Sequence, residues 1–179
     1  YDHFVQTINF VKKQNTEEIF WLVKPHPAIK YYNEQGIIVE HINKLNCKNI
    51  SLCPKNAGNI EIFNNIDYLV TTASTIALEF ACFGKRPLIC GKTGYSGYGF
   101  TKEPKTLKEY FINIKNLDYE NILSARDKLN AQRIYYFLDN FSFQNLKSSK
   151  VLPIRENISD NKYFKALFNN SYKFTRFPA

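Results

Sequence analysis

Apolar residues recur at Phe4, Val5, Ile8 and Val11, close to helical spacing, so residues 4–14 are expected to form a helix. A short apolar and aromatic run from Glu18 to Val23 then stops at Lys24-Pro25-His26-Pro27. Proline fixes φ and removes a backbone donor, so two prolines in three residues end regular structure. This stretch predicts a strand followed by an abrupt loop. Gly36 to Val39 fits a short strand or a helix start equally well, whereas Asn49 to Cys53 predicts a brief strand ending at Pro54. Ala57 to Ile66 has helical spacing at Ile60, Phe63 and Ile66, and Asp67 to Thr72 is rich in strand formers. Ser74 to Phe83 predicts a helix closed by Gly84. Arg86 to Cys90 predicts another strand, and a glycine-rich loop, Gly91 to Gly99, follows it. From about Leu107 the pattern turns helical, with one long or kinked helix over Tyr119 to Phe141. Strands and helices alternating at short intervals imply βαβ units, hence an α/β fold with a Rossmann-like parallel sheet.

The chain's 179 residues are enough for one domain with a real core, so no disulfide or metal staple is required. Its residues divide into 1–141, the expected Rossmann-like domain, and 142–179, a basic tail expected to be helical. The chain contains no methionine, so it is expected to be a fragment cut at Tyr1, and a site shared between two domains would be half present. No apolar run approaches the roughly 18 residues of a membrane span. The four cysteines, Cys47, Cys53, Cys82 and Cys90, match no zinc spacing, and Cys82 and Cys90 lie in apolar segments, as buried free thiols do. Their pattern favours a reducing, cytoplasmic setting.

A net charge of +8 points to an anionic partner. Much of the surplus falls after Gln144, where Lys147, Lys150, Arg155, Lys162, Lys165, Lys173 and Arg176 alternate with Tyr163, Phe164, Phe168, Tyr172 and Phe174. No nucleic-acid motif accompanies them, so nucleic acid is not an expected partner. The tail is expected to pack on a missing domain or to lie against an anionic membrane surface, unless it is simply a solvated face with snorkelling lysines.

Three segments carry candidate chemistry. Thr72-Ala73-Ser74-Thr75 joins a predicted strand to a predicted helix. Ligands of parallel α/β sheets bind beyond the carboxyl ends of strands, and a helix start offers free N–H groups and a positive dipole end. Ser74 and Thr75 add hydroxyls there, although either could serve only as a helix cap. Glu79 lies four residues after Thr75 on the same helical face and fits no capping box, so it should have a partner, for which a ribose diol is suited. His26 ends the first strand between two prolines, where it can donate to a phosphate oxygen, with Lys24 adding charge; a structural loop histidine is the alternative. The loop from Gly91 to Thr101 offers close backbone approach and the stacking faces of Tyr95 and Tyr98. It is neither a Walker loop nor a dinucleotide fingerprint, and no Asp-x-Asp metal motif occurs.

The order of these segments is more specific than any one of them. Lys-Pro-His-Pro comes first, then Ser-Thr-x-x-x-Glu-x-x-x-x-Gly-Lys-Arg-Pro from Ser74 to Pro87, then Tyr-Ser-Gly-Tyr-Gly-Phe-Thr. Over residues 18–102 the chain resembles the bacterial capsule polysaccharide synthesis family, whose transferases use CMP-Kdo to build the Kdo linker of capsules. The His-Pro pair is also shared with bacterial sialyltransferases of the same build. The resemblance implies the C-terminal, donor-binding half of a GT-B glycosyltransferase, two Rossmann-like domains facing a cleft. It implies a CMP-sugar donor, no metal or other cofactor, a lipid-linked or glycan acceptor, and a cytoplasmic site of action peripheral to the inner membrane. His26, Ser74 and Thr75 would hold the phosphate, Glu79 the ribose, and Lys24, Tyr95, Tyr98 and Thr101 would complete the substrate site. The general base would sit in the other domain. The alternatives are a polyol-phosphate transferase or sialyltransferase of related build, or a non-enzymatic module for polyanions.

Overall fold

The computed structural model describes residues 2–14, 18–26, 29, 36–117 and 121–138. These form ten elements: α1 (Asp2–Gln14), β1 (Trp21–Val23), α2 (Ile37–Leu45), β2 (Ile50–Leu52), α3 (Asn59–Asn65), β3 (Val70–Thr71), α4 (Thr75–Cys82), β4 (Leu88–Ile89), α5 (Leu107–Lys115) and α6 (Ala125–Phe137). The chain divides into two compact units, Tyr1–Tyr135 and Tyr136–Ala179. The first carries all four strands. Only 136–138 of the second belong to the described residues, so the expected basic helical tail over 142–179 lies outside them.

The architecture is mixed α/β, built from two right-sized βαβ units. β1 pairs in parallel with β2, Trp21 opposite Ile50 and Val23 opposite Leu52, with α2 in the crossover. β3 pairs in parallel with β4, Val70 opposite Leu88 and Thr71 opposite Ile89, with α4 in the crossover. A parallel pair needs such a long connection, because a tight turn can only reverse the chain. The two pairs are separate two-stranded sheets among the described residues; β1 and β3 do not hydrogen-bond to each other. The parallel pairing is as expected, but the expected single Rossmann-like sheet is not formed among the described residues, where two separate two-stranded sheets stand instead.

Gly36 to Val39, ambiguous in the sequence, opens α2. Gly36 precedes the helix with φ of 91°, and Ile42 is the residue that α2 buries. Of the expected helix over 119–141, the described residues include α6, whose one fully buried residue is Ala131, and the rest of the span beyond 121–138 lies outside the described residues.

Two apolar groups hold the unit together. One joins Ile8 and Val11 of α1, Ile42 of α2, Ile50 of β2, Leu88 of β4 and Tyr110 and Ile114 of α5. Within it the Tyr110 hydroxyl is hydrogen-bonded to Thr7 Oγ1 at 2.9 Å, which satisfies a polar group that would otherwise be costly to bury. The other joins Phe63 of α3 to Phe80 and Phe83 at the end of α4, with ring centroids 5.4 and 5.2 Å apart. Gly84 closes α4 at φ of 89°, a conformation that a side chain disfavours, and its N–H donates to the Ala81 carbonyl at 2.9 Å.

The four cysteines are free thiols. Cys53 is the buried one, whereas Cys82, the last residue of α4, and Cys90, which follows β4 and packs against the first apolar group, are half-buried.

Candidate functional site

Short parallel strands leave their carboxyl ends and the following helix starts on one edge. The Lys24-Pro25-His26 segment leaves β1 at that edge, and Thr72-Ala73-Ser74 leaves β3 beside it. Between them lies a cavity of about 310 Å³, lined by Lys24, His26, Ser74, Thr75 and Glu79 together with apolar side chains of β1, β3 and α4. Its size is at the lower end of the range of small-molecule sites. Five of the eight candidate substrate residues therefore border one space.

The helix at this edge is directed by its burial. Ala77, Leu78, Phe80 and Ala81 of α4 are fully buried, which leaves Thr75 and Glu79, four residues apart, on the remaining face. Ser74 is the N-cap residue, in an extended conformation, and its side chain makes no capping hydrogen bond. Its carbonyl accepts from the Ala77 N–H at 3.1 Å, so the turn is formed by the backbone alone. The first N–H groups of α4 and the dipole they terminate face the same edge.

Glu79 has a partner within the fold. Asn59, the first residue of α3, donates from Nδ2 to Glu79 Oε2 at 2.9 Å. The same amide accepts from Lys24 Nζ at 2.9 Å through Oδ1, and Lys24 also donates to the Ala57 carbonyl at 3.1 Å. Sequence reasoning missed Asn59. The signal available was its place at a predicted helix start after a predicted strand end, the same context that singled out Ser74.

The other three candidates do not line the cavity. Tyr95 is buried, 4% exposed, and its hydroxyl donates to the Ser74 carbonyl at 2.6 Å. Burial pushes its phenol above the ordinary range, so it is a neutral donor at physiological pH. Thr101 is buried and donates to Glu103 Oε1, which also accepts from the Gly97 N–H at 2.9 Å. Tyr98 is exposed and stacks beside Phe100 at 6.4 Å. The glycine-rich loop thus packs against the start of α4. Gly91 makes this approach possible: a Cβ there would meet the Thr72 carbonyl oxygen at 3.1 Å, while its N–H donates to that oxygen at 2.8 Å. Tyr95 holds Ser74 by its backbone and bears on the cavity only through it.

A second cavity, of about 250 Å³, follows the unpaired seam between β1 and β3. Trp21, Leu22, Ile62, Ile66, Leu69 and Ile76 give it a mainly apolar wall, and Leu22, Lys24, Leu69, Val70 and Ile76 also border the first cavity. Apart from Lys24 it holds none of the candidate residues. Among the described residues no group of three or more His, Cys, Asp or Glu side chains is arranged to hold a metal ion, and no helix is long and apolar enough to cross a membrane.

At the far end of α4, burial, and then the negative charge of Glu79, push the Cys82 thiol up to about 11, against a smaller opposing effect of Lys128. The chain matches no protein-family model, no characterised protein and no solved structure with which it was compared.

Proposed function

We propose that the chain is the donor-binding half of a glycosyltransferase that uses a CMP-sugar, with the Rossmann-like C-terminal domain of a GT-B enzyme as its full architecture. The capsule resemblance makes CMP-Kdo the donor and capsule or surface polysaccharide the product. The observation that supports this reading is the convergence of Lys24, His26, Ser74, Thr75 and Glu79 on one cavity at the carboxyl ends of β1 and β3. In the proposed reaction the bond between the sugar's anomeric carbon and the phosphate oxygen breaks, and CMP leaves with the electron pair. His26, the two hydroxyls and the start of α4 stabilise the charge that develops on that phosphate. Glu79 takes the ribose hydroxyls. The acceptor hydroxyl attacks the anomeric carbon and loses its proton to a base of the opposite domain, so turnover requires that domain.

The discriminating experiment is a thermal-shift series with CMP, CDP, UDP and GDP. A ligand at about 100 times its dissociation constant stabilises a fold by about 2.7 kcal/mol. CMP is expected to raise Tm without added metal, and a shift with UDP or GDP but none with CMP sinks the donor assignment. His26→Ala and Thr75→Ala are each expected to weaken CMP binding about tenfold, the effect of losing one hydrogen bond to a charged group. Because both groups address one phosphate, their effects should couple in a double-mutant cycle, and cytidine should respond to neither. Unchanged CMP affinity in His26→Ala removes the phosphate role of the His-Pro loop.

A further inference from the structure

Lys24 and Glu79 border the same cavity with opposite charges, yet no ion pair joins them; their link is the side-chain amide of Asn59. Asn59 opens α3 next to Gly58, the N-cap residue, which has no side chain to offer. The Asn59 side chain instead spans the cavity wall. Its orientation is fixed by chemistry: an ammonium can only donate and a carboxylate can only accept, so Oδ1 must face Lys24 and Nδ2 must face Glu79. One amide therefore satisfies both charged groups without neutralising either.

A directly paired lysine and glutamate would cancel much of the field that each presents to a ligand. We propose that Asn59 is a positioning residue that holds Lys24 and Glu79 apart, so that the cavity keeps a cationic corner for an anionic ester and an anionic corner for vicinal hydroxyls. The ligand class this selects is a phosphorylated sugar or nucleoside carrying a free diol. The Ala57 carbonyl takes a second proton of the Lys24 ammonium and fixes its position from the α3 side. His26, the remaining titratable group in the cavity wall, lies on the Lys24 segment.

The inference rests on reading this cavity as a nucleotide site, and its test has one arm that needs no nucleotide. Charge coupling between Lys24 and Glu79 is measured by chemical unfolding of the full chain in a K24M/E79Q double-mutant cycle. The cycle is run twice, with Asn59 present and in N59A. With Asn59 the coupling in the unfolding equilibrium constant should stay below about twofold. In N59A the two side chains can meet, and the coupling should rise to about two- to fivefold, the range of a partly exposed ion pair. Equal coupling in the two backgrounds overturns the proposal. The second arm is CMP affinity. N59A should lose about tenfold, and N59D, which still accepts from Lys24 but offers Glu79 no donor and adds a negative charge, should lose more. Should N59A not fold, the same cycle in N59S decides the first arm. Wild-type affinity for CMP in both N59A and N59D also overturns the proposal, whereas absence of CMP binding to the wild type sinks the nucleotide reading and leaves the unfolding cycle to judge Asn59.

Discussion

The two βαβ units bury themselves very differently. In β3–α4–β4, both residues of β4 and four of the eight residues of α4 are at most 1% exposed. In β1–α2–β2, Leu22 at the middle of β1 is 47% exposed, and α2 buries Ile42 alone. The candidate site draws on both. The dense unit contributes the start of α4 and Glu79, groups whose value depends on being held still. The open unit contributes Lys24 and His26, long or loop-borne side chains that reach across. Local stability follows buried apolar contacts, so the edge of the site made by β3 and α4 should be the more rigid and the edge made by β1 the more compliant.

The largest effect that tests this contrast is a core truncation in each unit. Leu88→Ala removes a fully buried side chain shared with α1 and α5, and should destabilise by about 3 kcal/mol. Leu22→Ala, at a half-exposed position, should cost about 1 kcal/mol or less. Comparable losses by urea unfolding would show that the two units are equally well packed. A smaller effect separates two helix starts. Thr106 caps α5 by accepting from the Glu109 N–H at 3.1 Å, and Glu109 reaches back to the Lys105 N–H at 2.8 Å. Thr106→Ala should cost about 1 kcal/mol and leave CMP binding alone. Ser74→Ala removes no capping bond, so it should leave Tm nearly unchanged while weakening CMP binding. A fall in Tm for Ser74→Ala as large as that for Thr106→Ala would return Ser74 to a structural role.

The pH dependence is subtler. The folded state holds the Cys82 proton up to about 11, whereas a free thiol of pKa 9.0 ionises earlier, so the unfolded chain releases this proton first. The stability associated with Cys82 is therefore complete below pH 9 and is lost as pH rises toward 11. Burial also raises Tyr95 and Tyr110, which add to the decline at high pH, so Cys82→Ala is the necessary reference. The Tm difference between wild type and Cys82→Ala should shrink across that window; a constant difference would mean that α4 does not bury the thiol. The smallest expected change is at the Glu40–Lys44 pair on the exposed face of α2, where Glu40→Gln should leave Tm within error.

Element identity was legible where the apolar pattern had one interpretation. The spacing at Ile60, Phe63 and Ile66 suits a helix, and α3 occupies Asn59–Asn65, with Ile66 extended just beyond it. Gly36 to Val39 was not legible, because four residues are too few to separate a period of 2 from a period of 3.6; the commitment to α2 comes from Ile42 finding the core. Strand ends and helix starts were visible through Pro25, Pro27 and the Ser74-Thr75 pair, and these sufficed to nominate five residues that now border one cavity. Tyr95 was nominated for its stacking face, yet the fold uses its hydroxyl to hold the Ser74 carbonyl. A tyrosine in a glycine-rich loop looks the same in sequence whether it turns outward or inward.

The amino-acid sequence by itself determined the alternation of strands and helices, the mixed α/β class, and which residues stand at strand ends. These follow from local rules: the period of apolar side chains, the conformational limits of proline and glycine, and the groups left unpaired at helix termini. Only the tertiary structure decided that Asn59 lies between Lys24 and Glu79, residues 35 and 20 positions away from it. It likewise decided that the glycine-rich loop supports α4 and that the strands form two pairs instead of one sheet. The physical reason is that such contacts depend on where whole elements come to rest, and no periodicity or local motif encodes the distance between residues that chain folding alone brings together.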